Sequence, residues 1–239
     1  MRETAFWDDN LTLNKLRMGK ICDDMIGRGI KIRWTTPNGV EITGLDEQTI
    51  NKMRRSGCYK LTFCIETASP NTQKFTRKEY IDLKRAKEII RYCNTIGIWT
   101  HCAFIIGFPY ETESDIMKTV DYAVACDADM VTFFVACPYP GTELYDIYRK
   151  EGLIPDRYDG EYASWNLTCN WPVLSTRFLD AEQIKRYLSL AKRKVYINRA
   201  ISLIPSSRLI HKMRSRDALR FVAKQLFHYS QRLCRCLAE

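Results

Sequence analysis

The chain has 239 residues and a mass of 28.0 kDa, enough for one large domain or for one domain with an appendage. With 46% hydrophobic and 27% charged residues its composition is globular, which excludes wholesale disorder. The net charge of +9 suggests nucleic acid until it is divided: residues 177–239 hold 15 Lys+Arg against 4 Asp+Glu, and residues 1–176 hold 22 against 24. The basicity belongs to the tail, and the body adds no positive groove that would make nucleic acid an expected partner.

No apolar run approaches the roughly 18–20 residues of a membrane span. The first residues carry no signal-peptide core, and the ten cysteines are scattered, mostly inside apolar runs. They read as reduced thiols of a cytoplasmic protein.

Along the chain, five short stretches rich in aromatic and β-branched residues are expected as strands: 4–7, 31–35, 60–65, 99–106 and 130–137. Helical spacing fills the intervals. The first helix, 12–26, is expected to bury Leu13, Leu16, Ile21 and Met25. The second, 46–55, has Asp46 as N-cap. The third, 79–94, carries Ile81, Leu83, Ala86, Ile89 and Ile90, and the fourth, 113–126, carries Ile116, Val120 and Ala123.

Gly29, Gly57 and Gly97 each follow a helix and precede a strand, as a left-handed helix end turning into a buried strand requires. Strand starts fall about thirty residues apart, the size of one βα unit. Strands separated by whole helices should be parallel, with right-handed crossovers. The fold class is therefore α/β, a parallel sheet curving into part or all of a barrel.

Beyond residue 152 the pattern stops. Residues 153–176, rich in Pro, Asp, Tyr, Trp and Asn, read as a loop over one end of the sheet. Residues 177–239 read as a basic helical tail with two apolar stripes. Ile184, Leu188, Ala191 and Val195 form the first; the second, capped by Ser215, runs through Leu219, Val222, Ala223, Leu226 and Leu233. Arg186, Lys192, Arg193, Lys194, Arg216, Arg220 and Lys224 surround them. The stripes either pack on the barrel or lie on an anionic membrane surface as a peripheral contact.

In a parallel α/β sheet the site forms at the carboxyl ends of the strands. Those ends are Asp8-Asp9-Asn10, Thr36-Pro37-Asn38, Glu66-Thr67, the run from Gly107 to Thr112, and the run from Pro138 to Thr142. Asp9 or Asn10 could serve only to cap a helix. Glu66, directly after an apolar strand, would be costly if buried and unpaired. Gly107 could admit a flat ligand against its backbone or only make a turn. His101 alternates with Trp99 and Ala103 and reads as a satisfied core histidine. No CxxC, CxxxCxxC, P-loop, GxSxG or HExxH occurs.

Four strings in order go further: Phe6-Trp7-Asp8-Asp9-Asn10-Leu11-Thr12, Phe63-Cys64-Ile65-Glu66-Thr67-Ala68-Ser69, Phe104-Ile105-Ile106-Gly107-Phe108-Pro109-Tyr110-Glu111-Thr112 and Pro138-Tyr139-Pro140-Gly141-Thr142-Glu143-Leu144-Tyr145. Together they resemble the radical S-adenosylmethionine (SAM) superfamily, and most closely its branch associated with a cobalamin-binding domain. The likeness spans about residues 4–152.

The resemblance implies a partial (β/α) barrel whose second to sixth strands are the five found here, followed by the C-terminal helical extension. It places Asp8, Asp9 and Asn10 at the methionyl part of SAM. Glu66 falls near its ribose or amino group, and Ile106, Gly107, Phe108 and Tyr139 fall around its adenine. It also implies a 4Fe–4S cluster, but the family's CxxxCxxC loop has no counterpart among these residues, so no metal ligand is assigned. Cobalamin would require a further domain.

The resulting expectation is the C-terminal portion of a radical SAM enzyme, inactive alone. It would be a fragment or remnant, or else the partner of a separate chain that bears the cluster. Its substrate would be a small or lipid-like molecule. Two alternatives stand beside it. One is an ordinary α/β barrel enzyme using Glu66, Glu111 and Asp9 for acid–base work; the other is a non-catalytic binding module acting through the tail.

Overall fold

Alternating strands and helices appear in the expected order: β1 (Glu3–Ala5), α1 (Lys15–Gly27), β2 (Arg33–Val40), α2 (Glu47–Arg55), β3 (Cys58–Glu66), α3 (Pro70–Phe75), α4 (Leu83–Thr95), β4 (Trp99–Ile106), α5 (Glu113–Ala125), β5 (Met130–Val135), α6 (Glu143–Lys150) and α7 (Ala181–Ser202). The structure, a computed structural model, describes residues 3–155, 174–202 and 212. All five strands are parallel and pair in sequence order, β1-β2-β3-β4-β5.

That order decides the architecture. Successive right-handed crossovers that never reverse direction place the connecting helices on one face of the sheet, as in a barrel wall. Strand alternation then sorts the side chains. Leu61, Phe63 and Ile65 of β3, Cys102, Phe104 and Ile106 of β4, and Val131, Phe133 and Val135 of β5 join the helices in one apolar core. Phe104 stacks on Phe133 at 5.5 Å between ring centres. The alternate positions, Lys60, Cys64, His101, Ala103, Ile105, Thr132 and Phe134, are half-buried on the opposite face.

Local chemistry explains most element boundaries. Asp46 accepts the Thr49 amide at 2.8 Å to start α2, and Asp82 accepts the Lys84 amide at 2.8 Å to start α4, four residues later than the spacing suggested. Thr112 and Asp115 form a reciprocal capping box on α5. Gly29, Gly57 and Gly97 have φ of 64°, 110° and 79°, the left-handed turns expected between helix and strand.

Four expectations are corrected. Helix α1 starts at Lys15, capped by Asn14, and buries Met18, Gly19, Cys22 and Met25; Leu13 and Leu16 are exposed. Asn14 stops the helix from reaching back to Leu13, and the buried face is rotated toward Met18. Strand β2 does not end at Thr36-Pro37-Asn38. Pro37 has no amide to donate, and the pairing jumps from Thr36↔Leu61 to Val40↔Phe63, so these residues form a bulge within the strand. Gly39 sits there at φ 95°, where an added Cβ would lie 2.3 Å from Cys64 Sγ. Two helices also went unread. Ser69 caps α3 with Pro70 in its first turn, and Thr142 caps α6.

The first tail stripe packs on the barrel. Ile184, Leu188, Ala191 and Val195 are buried, and α7 contacts α5 and β5. Its apolar face is therefore not available to a membrane. The second stripe and most of the loop 153–176 lie outside the described residues. No helix among the described residues is long and apolar enough to cross a membrane.

Candidate functional site at the strand ends

Parallel strands bring the four singled-out loops to one rim. At the β1 corner, Asp8 accepts the Asn10 amide at 2.9 Å, closing a tight turn. Asp9 is exposed, and neither it nor Asn10 caps α1. Asn10 reaches Glu41 Oε2 at 3.4 Å, and the Thr12 hydroxyl donates to the Glu41 carbonyl at 3.0 Å. Glu41 therefore joins the first two strand ends. Sequence reasoning missed it because the bulge at residues 37–39 hides where β2 ends.

Glu66 closes β3 with φ 65°, a left-handed conformation that costs a side-chain-bearing residue about 1–2 kcal/mol. The pairing with β4 also shifts register between Cys64 and Glu66. The turned-out carboxylate is half-buried and meets Lys78 Nζ at 2.6 Å. Burial pulls the Lys78 ammonium down, but the Glu66 carboxylate outweighs it and holds the group above its usual range. Lys78 sits beyond α3, a helix the apolar periodicity gave no sign of. Cys64, below Glu66, contacts the Asn38 carbonyl at 3.6 Å, and burial raises its thiol, with the Glu66 charge adding to the effect.

The β3 and β4 corners are locked together by two buried carboxylates. Glu111 Oε2 accepts the Gly107 and Phe108 amides at 2.6 and 3.1 Å, and Oε1 accepts the Thr72 hydroxyl at 3.1 Å. Asp115 accepts the Ser69 hydroxyl at 2.6 Å and the Asn71 amide at 3.3 Å. Burial pushes Glu111 up to about 7 against the lowering effect of those hydrogen bonds. At 1% exposure it is a structural clamp and not the open acid–base group of an ordinary α/β barrel enzyme.

Each adenine-side residue has a defined place. Ile106 is fully buried in the helix-side core, so at the rim it offers backbone; Ile105 is its neighbour on the open face. Gly107 has φ 86°, donates to Glu111 and accepts the Tyr148 hydroxyl. Its missing Cβ faces Ile184 Cγ2 of α7 at 3.4 Å, so the glycine admits a helix there rather than a flat ligand. Phe108 is buried against Phe75, with ring centres 6.0 Å apart. Tyr139, beyond β5, is 42% exposed, and its carbonyl accepts the Thr142 amide at 3.1 Å. Behind this corner, the Arg177 amide donates to the Pro109 carbonyl at 2.8 Å and the Thr176 hydroxyl to the Glu111 carbonyl at 3.1 Å.

His101 is the satisfied histidine expected. Its Nε2 meets Thr132 Oγ1 at 2.9 Å, and burial, helped by the Lys60 charge, pushes the ring down to about 4. Part of the tail's charge is spent inside the molecule. Arg199 donates to the Ala123 carbonyl at 3.0 Å near the α5 terminus, Lys194 pairs with Asp121 at 3.2 Å, and buried Lys212 pairs with Asp129.

Sheet order, one-sided helices and a rim of convergent loops define a partial (β/α) barrel. Comparison with known proteins then supplies the family. The Radical SAM superfamily model matches residues 7–123. An uncharacterized methyltransferase of Pyrococcus horikoshii is 31% identical over 205 residues, covering 83% of this chain and 40% of that protein. The cytidylyl-2-hydroxyethylphosphonate methyltransferase of Streptomyces wedmorensis is 28% identical over 162 residues, 65% of this chain and 30% of that one. Among solved structures, the radical SAM methyltransferase TsrM of Kitasatospora setae, determined with cobalamin and a [4Fe-4S] cluster bound, superposes with a TM-score of 0.56. Its identity is 17%, over 64% of this chain and 29% of TsrM, a likeness of fold.

Residues 7–123 are a radical SAM domain, and the chain belongs with that superfamily, among relatives of methyltransferase type. It spans less than half the length of these relatives.

The residues fit the family's two implied groups differently. The rim carries the oxygen acceptors of Asp8, Asn10, Glu41 and Glu66, a set compatible with a cationic ligand such as SAM. It does not fit the cluster. Cys22, Cys58, Cys93, Cys102 and Cys126 are buried in the helix-side core, Cys64 lies on β3 and Cys137 beyond the end of β5, and no group of three metal-binding side chains occurs among the described residues.

Proposed function

We propose that this chain forms the SAM-holding wall of a radical SAM methyltransferase, the cluster thiolates being supplied by polypeptide outside residues 1–239. The observation that supports this reading best is the rim: the four strand-end loops converge there, and Glu66 carries its carboxylate to it on a strained left-handed turn. In it, Asp8 and Asn10 accept from the methionyl ammonium, Glu66 accepts from the ribose hydroxyls or the ammonium, and the backbone of 106–108 with Tyr139 borders the adenine. SAM supplies a transferable methyl group or, on one-electron reduction, a radical. The residues of this chain bind and orient it, and the Glu111 and Asp115 clamps keep the rim from collapsing when it is empty.

The names of the matched relatives favour methyl transfer, and the acceptor is proposed as a small or lipid-like molecule. Cobalamin enters only through a domain beyond these residues. On this reading the isolated chain, reconstituted anaerobically with iron and sulfide, acquires no stoichiometric cluster and turns nothing over, yet retains SAM in equilibrium dialysis. About four irons per chain, with the visible absorption of a cluster, would overturn it.

A further inference from the structure

The open face carries a second polar site, deeper than the rim, whose groups lack partners. Lys60 of β3 is half-buried. Among the described residues no carboxylate comes within ion-pair distance of its ammonium, and Glu3 acts on it only from further off. Thr35, paired with Lys60 across β2 and β3, is 9% exposed; Thr62, two residues along β3 on the same face, is 4% exposed. Both hydroxyls are buried without a hydrogen-bond partner. Thr62 in turn pairs with His101 of β4, whose ring is satisfied by Thr132 and stays neutral.

Buried hydroxyls are nearly always partnered, and a half-buried ammonium ordinarily finds a carboxylate. Here three donors on two adjacent strands lack both. The nearby acid does not fill the gap, since the Glu3 carboxylate takes the Tyr59 hydroxyl, with Arg33 4.3 Å over that ring. Trp99, the β4 partner of Lys60, is buried, and Lys212 Nζ lies 5.0 Å above its ring.

We propose that Lys60, Thr35 and Thr62 form an oxyanion subsite on the inner face. It receives the carboxylate, phosphate or phosphonate of the acceptor substrate, an ammonium and two hydroxyls being the donor set such a group takes. The proposal rests on the rim being the SAM site, and it gives that site a substrate class. Thr62 stands four residues below Glu66, so the acceptor carries its anionic group roughly 13 Å from the rim, at about 3.3 Å per strand residue. The acceptor is then an elongated anion that reaches from the rim to this subsite.

The test uses the full chain with ¹³C-methyl-labelled threonine, titrated with methylphosphonate and, separately, with acetate. Thr35 and Thr62 methyl resonances should move on one isotherm with a Kd on the order of 1 mM, as a single charge-assisted contact set gives. Lys60→Met should weaken binding roughly tenfold, Lys60→Arg should retain it, and Thr62→Val should weaken it several-fold while raising the melting temperature. SAM binding, measured in parallel, should be the same in all of them. Methylphosphonate that moves neither methyl, or that binds Lys60→Met and the parent chain equally, overturns the subsite. Loss of SAM binding with the methylphosphonate response intact counts against the rim reading alone.

Discussion

The two faces of one sheet differ more than any two elements of this molecule. On the helix side Leu61, Phe63, Ile65, Cys102, Phe104 and Ile106 are fully buried and contribute to a continuous apolar core. On the other side of the same strands stand Lys60, Thr62, Cys64, Glu66 and His101, half-buried for the most part, with the Thr62 hydroxyl unpartnered, as is that of Thr35 on β2 beside them. A face that only had to be stable would resemble the first. The second keeps polar groups that apolar residues could replace, as a surface organised for a ligand would.

Deleting matter from each face should have opposite effects. Phe104→Ala removes a fully buried ring from between Phe133 and Tyr122 and should cost about 3–5 kcal/mol in denaturant unfolding. Thr62→Val on the opposite face should cost nothing and should stabilise by about 1 kcal/mol. Equal losses from both would mean that the two faces are packed alike.

The rim clamps come next. Glu111→Ala strands the Gly107 and Phe108 amides and should cost about 2–4 kcal/mol, since each buried unpaired group costs about 1–3. Glu111→Gln keeps an acceptor for both amides and a donor for the Thr72 oxygen, so it should fold well. The pH dependence has a definite sign. Glu111 is raised from 4.5 to about 7 in the fold, so its contribution is fully present below the unfolded value and is lost as pH rises through about 7. Stability should therefore slope downward across that window in the parent chain, and Glu111→Gln should flatten the slope. A smaller effect, about 1–2 kcal/mol, is expected for Gly107→Ala, which puts a side chain at φ 86° and against Ile184. Thermal unfolding measures it, and no loss would mean that the turn can relax.

The sequence was most legible where period and punctuation agree. Five apolar runs, the glycines before β3 and β4, and Asp46 ahead of its helix mark βα units by local chemistry alone. The site was legible as an ordered set of strand ends, yet its wiring was not. Lys78 meets Glu66 only because α3 folds the chain back, Glu41 meets Asn10 only across the β2 bulge, and Glu111 looked open until Thr72 and two amides enclosed it. The exposure of Leu16 and the burial of Met18 are likewise invisible to periodicity, because both fit a helix and only the position of β2 and α2 selects the face. Residues 156–173, 203–211 and 213–239 lie outside the described residues, and with them falls the predicted second stripe.

On the proposed reading, the strand-end rim holds SAM without help from a cluster on this chain. Anaerobic calorimetric titration of the full chain with SAM, beside Glu66→Gln and Asn10→Ala, tests it most directly. The account predicts one site per chain with a Kd on the order of 100 µM, weakened roughly tenfold by Glu66→Gln, about 1.4 kcal/mol, and less by Asn10→Ala. Absence of binding in the parent chain, or binding that both substitutions leave unchanged, would contradict it.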